Sequence, residues 1–229
     1  MASIEGKLQQ VRQRIALACA AAQRPVQSVT LLAVSKTFGA AAIREAQGAG
    51  QHAFAENYVQ EALGKIAALA DLKPSIEWHL IGPLQSNKTR EVASSFDWVH
   101  SLDRMKVAER LSAQRPAGLP PMQVCLQVNV SGETSKSGVA PGELPALARA
   151  VAALPHLRLR GLMSIPEPVV DAQAQRVPHR LLRQLFDALR RDGLPLDTLS
   201  MGMSADLEAA IAEGASIVRV GTAIFGERK

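Results

Sequence analysis

Short apolar runs alternate with longer stretches of helical period along this chain from about residue 29 onward. Runs rich in Val, Ile and Leu predict strands at 29–35, 53–55, 76–81, 98–101, 123–130, 157–164, 198–201 and 217–220. Ala- and Leu-rich stretches at 40–49, 59–69, 106–112, 144–154, 180–191 and 206–213 predict the helices between them. Helix boundaries carry local signals. Asn57 with Gln60 resembles a capping box, Ser204 is placed to cap the helix after it, and Pro141 and Pro178 suit helix starts. Gly50, Gly193 and Gly214 follow helical runs, where a C-terminal cap needs a left-handed residue.

Ahead of the first strand, Ile4, Leu8, Val11, Ile15 and Ala18 recur at helical spacing, with Gln9, Gln10, Arg12, Gln13 and Arg14 on the other face. This predicts an amphipathic helix over residues 1–24 that packs on the domain, and not a signal peptide. Strict strand–helix alternation predicts a parallel sheet, and about eight units predict a single (β/α)8 TIM barrel over residues 1–229. An open doubly wound sheet is the competing arrangement, but no Gly-rich dinucleotide fingerprint follows the first strand.

Composition narrows the function classes. Hydrophobic residues are 47% and aromatic residues 3%, which predicts a core of packed aliphatic layers. The net charge of +5 comes from scattered basic residues, with few aromatics and no helix-turn-helix or zinc pattern, so no nucleic-acid partner is expected. No apolar run has the length of a membrane span, so no membrane partner is expected either. Cys19 and Cys125 form no CxxC pair and no metal-ligand cluster, which points to no metal and to a reducing, cytoplasmic setting.

The candidate chemistry lies at strand ends. Leu32, Val34 and Lys36 share one face of the first strand. If that face lines a barrel, Lys36 is its last inward residue at the C-terminal mouth, where partial desolvation frees an amine for carbonyl attack. Taken alone, a strand-end lysine is as readily a surface residue with a packed stem. In the last strand Arg219 shares the face of Ile217, and Gly221 and Thr222 follow in a turn suited to a phosphate. In a closed barrel the first and last strands are neighbours, so Lys36 and Gly221–Thr222 would meet at one mouth. An amine for a Schiff base and amides for a phosphate are the two grips that pyridoxal phosphate needs. Ser204 follows the seventh strand, where it either meets a phosphate or only caps a helix. Asn57 follows the second strand and His79 lies in the third, where a lone histidine is more often a bonded core residue. Met163 and Ser164 close the sixth. A Schiff-base aldolase would be expected to carry its lysine on a central strand, and 157–164 contains none.

The runs LLAVSKT, AENYVQEA, WHLIGPLQSNK, QVNVSGETSKSG, GLMSIPE, LSMGMSADLEAAI and VRVGTAIFGER resemble the pyridoxal phosphate homeostasis protein family, itself similar to the N-terminal domain of alanine racemase. The resemblance covers the chain from about residue 30 onward. It implies that pyridoxal 5'-phosphate is carried on Lys36 as an internal aldimine. Ser204, Gly221 and Thr222 match phosphate-binding positions, and Arg219 matches the arginine at the pyridine nitrogen. Asn57, His79, Met163 and Ser164 lie in segments near the ring. The implied role is homeostasis of the cofactor and of amino and keto acids rather than catalysis, with pyridoxal-phosphate-requiring apoenzymes as partners and a monomer or weak homodimer as the state. The alternative is an amino-acid racemase of weak or narrow activity, with Tyr58 the chain's only tyrosine. Lys88 and Lys136 are open as second attachment points.

Overall fold

The computed structural model describes residues 3–132 and 137–227. Its elements run α1 (Ile4–Ala21), β1 (Thr30–Val34), α2 (Ala40–Gly48), β2 (Ala53–Glu56), α3 (Val59–Ala68), β3 (Glu77–Leu80), α4 (Thr89–Ser95), β4 (Trp98–Leu102) and α5 (Met105–Gln114). They continue β5 (Met122–Gln127), α6 (Leu144–Ala152), β6 (Leu157–Met163), α7 (Ala172–Arg191), β7 (Thr198–Ser200), α8 (Leu207–Ala212), β8 (Ile217–Val220) and α9 (Thr222–Phe225). The eight strands form a closed parallel barrel in sequence order, sealed by β1 against β8. In that seam Leu32 lies opposite Arg219 and Ala33 opposite Val220, so the residues that follow these strands emerge at the same rim.

The strands fall within a few residues of the expected positions, and the departures have local causes. β5 stops at Gln127 because Val128 and Asn129 turn to pair with Val139 across the next loop. α4 was not legible: it is seven residues long and buries Thr89, Val92 and Ala93, too short to show a period. α7 begins well before residue 180, because the Asp171 carboxylate accepts from the Ala174 amide at 2.7 Å and starts the helix there. Pro178 therefore lies inside α7 rather than at its start, and Pro141 lies in the turn before α6. Tyr58, not Asn57, occupies the N-cap of α3, and no side chain caps it. Gly50, Gly193 and Gly214 do take positive φ after their helices.

Ser3 caps α1, whose buried stripe of Leu8, Val11, Ile15, Ala18 and Cys19 packs on α2, α8 and α9. Arg12 donates to the Ala49 and Gly50 carbonyls, and Arg14 forks onto Glu208. The helix thus covers the outside of the seam that joins the first strand to the last.

The aliphatic core is where helices meet strands. There Ala33, Phe54, Leu80, Val99, Leu126, Leu162 and Val218 face outward into Ile43, Val92, Leu111, Leu144, Leu182 and Ile211. The inside of the barrel differs from the aliphatic layers expected. Leu32, Val34, Ala55, Cys125, Met163 and Ile217 line it, but Trp98, His79, His100 and Arg219 share that space. His79 stacks on Trp98 with centroids 5.3 Å apart, and Arg160 lies over the same indole at 5.0 Å. Trp98 and two histidines thus gather in an interior where composition could not place them, while Phe54, Trp78, Phe96, Phe186 and Phe225 lie in the outer core. Among the described residues no helix is long and apolar enough to cross a membrane, and no group of acidic, histidine or cysteine side chains could hold a metal.

Candidate functional site

At the C-terminal rim a cleft of about 420 Å³ is lined by Lys36, Asn57, Ser204, Arg219, Gly221 and Thr222. Phe38, Ile81, Ile165 and Met203 supply apolar walls. The cleft draws on loops after β1, β2, β6, β7 and β8, so it exists only in the closed barrel. Among the described residues no carboxylate lines it, while a lysine and an arginine do, so it favours an anionic guest. The size suits a small planar molecule.

Lys36 is held by a buried ionic clamp on the outer side of its strand. Ser35 points away from the cleft and donates to Glu56 Oε1 at 2.6 Å. Lys65 Nζ, on α3, donates to the same oxygen at 2.7 Å, to Glu61 Oε1 at 2.6 Å and to the Ser35 carbonyl at 2.8 Å. Glu61 Oε1 also accepts from the Thr37 amide at 2.6 Å. Both peptide neighbours of Lys36 are therefore fixed. Thr37 is held at φ +69°, an uncommon conformation for a β-branched residue. Burial pushes the Glu56 carboxyl above its ordinary range, against the hydrogen bonds from Lys65 and Ser35.

Arg219 rises from the barrel floor, 3% exposed. Its guanidinium donates to the Ser200 carbonyl at 2.5 Å, to Ser200 Oγ at 2.9 Å and to the Ser164 carbonyl at 2.7 Å. No carboxylate among the described residues bonds it. Burial lowers its pKa to about 10, partly offset by Asp206 and Cys125, and it stays a cation at neutral pH.

Beside it, Gly221 is the N-cap of the four-residue α9. A Cβ there would stand 3.1 Å from the Val34 carbonyl, so a side chain would crowd the floor of the cleft. Gly202 takes φ +91° and a Cβ on it would meet Ala210 Cβ at 2.5 Å, which makes the turn after β7 a glycine position. Ser204 does not cap α8. Asp206 holds that position, and its carboxylate accepts from the Met203 amide at 2.6 Å and pairs with His179 at 2.9 Å. Ser204 therefore belongs to the loop that forms the cleft wall.

The structure brings together Lys36, Asn57, Ser204, Arg219, Gly221 and Thr222. It does not bring His79, Met163 or Ser164 to the cleft surface. All three are buried beneath it; Ser164 is reached through its carbonyl, and His79 through a hydrogen-bonded column. Asn57 Oδ1, at the cleft, is a buried polar atom without a partner among the described residues, as expected of a group awaiting a ligand's donor. Lys88 lies half-buried beside Glu91, away from the cleft, and Lys136 falls outside the described residues. Sequence reasoning missed the Glu56–Lys65–Glu61 clamp and, below Arg219, Glu77, His100 and Ser200. The one signal for the latter group is polar residues in apolar strands, Glu77 at the alternate position to His79 in β3 and His100 in β4.

Residues 7–229 match the family model for the alanine racemase N-terminal domain. The pyridoxal phosphate homeostasis protein of Pseudomonas aeruginosa is 62% identical over 228 residues, covering 100% of this chain and 97% of that protein. PipY of Synechococcus elongatus, solved with pyridoxal phosphate bound, superposes with a TM-score of 0.86 at 41% identity, covering 98% of this chain and 100% of that one. Alanine racemase of Corynebacterium glutamicum shares the fold, with a TM-score of 0.69 at 17% identity over 96% of this chain and 61% of that one.

Proposed function

The chain belongs to the alanine racemase N-terminal domain family and, within it, to the pyridoxal phosphate homeostasis proteins, and on that premise we propose that it binds and buffers pyridoxal 5'-phosphate as one unit over its whole length. The observation that carries this reading is the β1–β8 seam, which sets Lys36, Arg219 and Gly221 around one cleft of about 420 Å³. The cofactor supplies an aldehyde that bonds reversibly to amines. Lys36 Nζ is the amine, held in place by the Glu56–Lys65–Glu61 clamp. Ser204, Gly221 and Thr222 hold the phosphate through hydroxyl and amide donors. Arg219 faces the pyridine nitrogen and, as a cation, opposes its protonation. Asn57 Oδ1 accepts from a donor on the ring's substituents. Met163 and Ser164 support the floor from below.

A carrier is favoured over a racemase because racemisation needs an acid–base group on each face of the substrate. Among the described residues Lys36 and Arg219 are the only titratable ones lining the cleft, and Tyr58 sits 57% exposed at the start of α3, outside it. The bound cofactor is thus held at an open mouth and passed by amine exchange to pyridoxal-phosphate-requiring apoenzymes. A cytoplasmic monomer or weak homodimer suits this role, in keeping with two unpaired, buried cysteines.

The test is to incubate the purified protein with pyridoxal phosphate, reduce with borohydride and map the adduct by mass spectrometry. A yellow protein, bleached on reduction and modified at Lys36, is expected. No adduct in the wild type, or the same adduct yield in Lys36→Ala, would overturn the assignment. Solvent deuterium entering the α-position of an amino acid would instead establish the racemase reading.

A further inference from the structure

Below the cleft, a single file of side chains crosses the barrel from Arg219 to the opposite rim. Arg219 donates to Ser200 Oγ at 2.9 Å. Ser200 Oγ lies 2.8 Å from His100 Nδ1, His100 Nε2 lies 2.9 Å from His79 Nδ1, and His79 Nε2 lies 3.0 Å from Glu77 Oε2. Four strands contribute: β8, β7, β4 and β3. Ser200 and His100 are fully buried and His79 is nearly so, whereas the Glu77 side chain is 49% exposed at the N-terminal rim.

With both rings neutral, the carboxylate end decides the direction of every bond, and the guanidinium end is compatible with it. A guanidinium can only donate and a carboxylate can only accept. With neutral rings, His79 must give its Nε2 proton to Glu77, which leaves Nδ1 as an acceptor. His100 must then donate from Nε2 and accept at Nδ1, and the acceptable donor there is the Ser200 hydroxyl. Ser200 Oγ keeps a lone pair for Arg219. One arrangement satisfies all four contacts, and it points from cation to anion throughout. Burial, with the Arg219 cation nearby, holds the His100 pKa well below its usual value, which agrees with a neutral ring. At the far end Trp98 Nε1 donates to the other Glu77 oxygen at 2.8 Å, and Arg160 is held beside it by Asp197 and Gln123.

We propose that Ser200 and His100 are positioning residues for Arg219, and that with His79 and Glu77 they form a directional hydrogen-bond chain that locks its guanidinium toward the ring nitrogen of the bound cofactor. This rests on the proposed placement of Arg219 against that nitrogen. The chain explains two otherwise puzzling features. Arg219 is buried with no carboxylate in contact, and the Glu77 charge reaches it through polarised bonds instead. Two histidines occupy a barrel interior that aliphatic side chains fill in most such folds.

Two measurements test it. The first needs no cofactor: long-range proton–nitrogen correlation spectra of the wild-type protein, with His79 and His100 assigned by comparison with conservative variants. Both rings should carry their proton on Nε2, and His100 should not titrate between about pH 6 and 8. A proton on Nδ1 of either ring, or a His100 titration in that window, would overturn the chain. The second is Ser200→Ala, which removes one hydroxyl below the floor. The reduced adduct at Lys36 should still form, but the absorbance band of the bound cofactor should shift and its affinity fall by about tenfold, the scale of one hydrogen bond to a charged group. Glu77→Gln at the exposed end should shift the band in the same direction by less. Lys36 adduct with an unchanged spectrum and affinity in both variants would refute the positioning role alone. Absence of the adduct from the wild type would refute the cofactor assignment on which it rests.

Discussion

Replacing Lys65 by methionine isolates the clamp under Lys36. Methionine keeps the length and most of the volume, but leaves the Glu56 carboxylate, 0% exposed, without its cation. Removing one partner of a buried pair costs about 3–5 kcal/mol, because the remaining charge stays desolvated. In a chain of this size each kcal/mol lowers the midpoint by about 2–4 °C, so the loss should be roughly 6–20 °C in a thermal melt. The pH dependence carries the sign. Burial already raises the Glu56 pKa, and the Lys65 ammonium pulls it down by its hydrogen bond and charge, so the variant raises it further. A carboxyl whose native pKa exceeds its unfolded value contributes fully below the unfolded value and loses that contribution as pH rises through the native one. The deficit relative to wild type should therefore be largest near about pH 8 and shrink toward about pH 5, as the variant takes up a proton on Glu56. Lys65→Met with Glu56→Gln should recover most of the loss. With Glu61 no longer anchored by Lys65, the Glu61 carboxylate that holds the Thr37 amide should loosen, Thr37 should depart from φ +69°, and the Lys36 adduct should form more slowly. A Lys65→Met midpoint within about 2 °C of wild type, or a deficit that does not change with pH, would refute the clamp.

Two further outcomes follow from single positions. A Cβ on Gly82 would stand 2.1 Å from the Asn57 carbonyl, so Gly82→Ala must push apart the loops after β2 and β3; a loss of about 1–3 kcal/mol in chemical denaturation is expected, with weaker cofactor binding, and an unperturbed variant would mean that the backbones do not approach so closely. Burial pushes the Cys125 thiol up to about 12, and Cys19 is also raised by burial, so the native protein should resist a thiol-labelling disulfide near about pH 8 and react only on unfolding; rapid labelling of either would contradict their burial.

Much of the fold was legible because strand and helix periods are local properties. Residues 217–220 were bounded correctly from an apolar run ended by glycine. Lys36 and Arg219 were assigned to the inner face by alternation, which needs only the strand's two-residue repeat. α4 failed because seven residues show too little period, and the start of α7 failed because a proline suggested a boundary that the Asp171 cap had already set upstream. The assignments of Asn57 and Ser204 as caps failed for a related reason: the side chain that takes a cap depends on how the incoming loop is anchored.

The sequence by itself determined the alternation, the parallel sheet, the lysine at the end of β1 and the glycine turn after β8, since each depends on neighbours a few residues away. Tertiary structure alone decided which polar groups meet inside the barrel. Glu77, His79, His100, Ser200 and Arg219 are spread over more than half the chain and over four strands, and nothing local links one strand's polar residues to the next. Only closure of the sheet removes His79, His100, Ser200 and Arg219 from water together, and a buried donor or acceptor must then find a partner that its own strand does not supply.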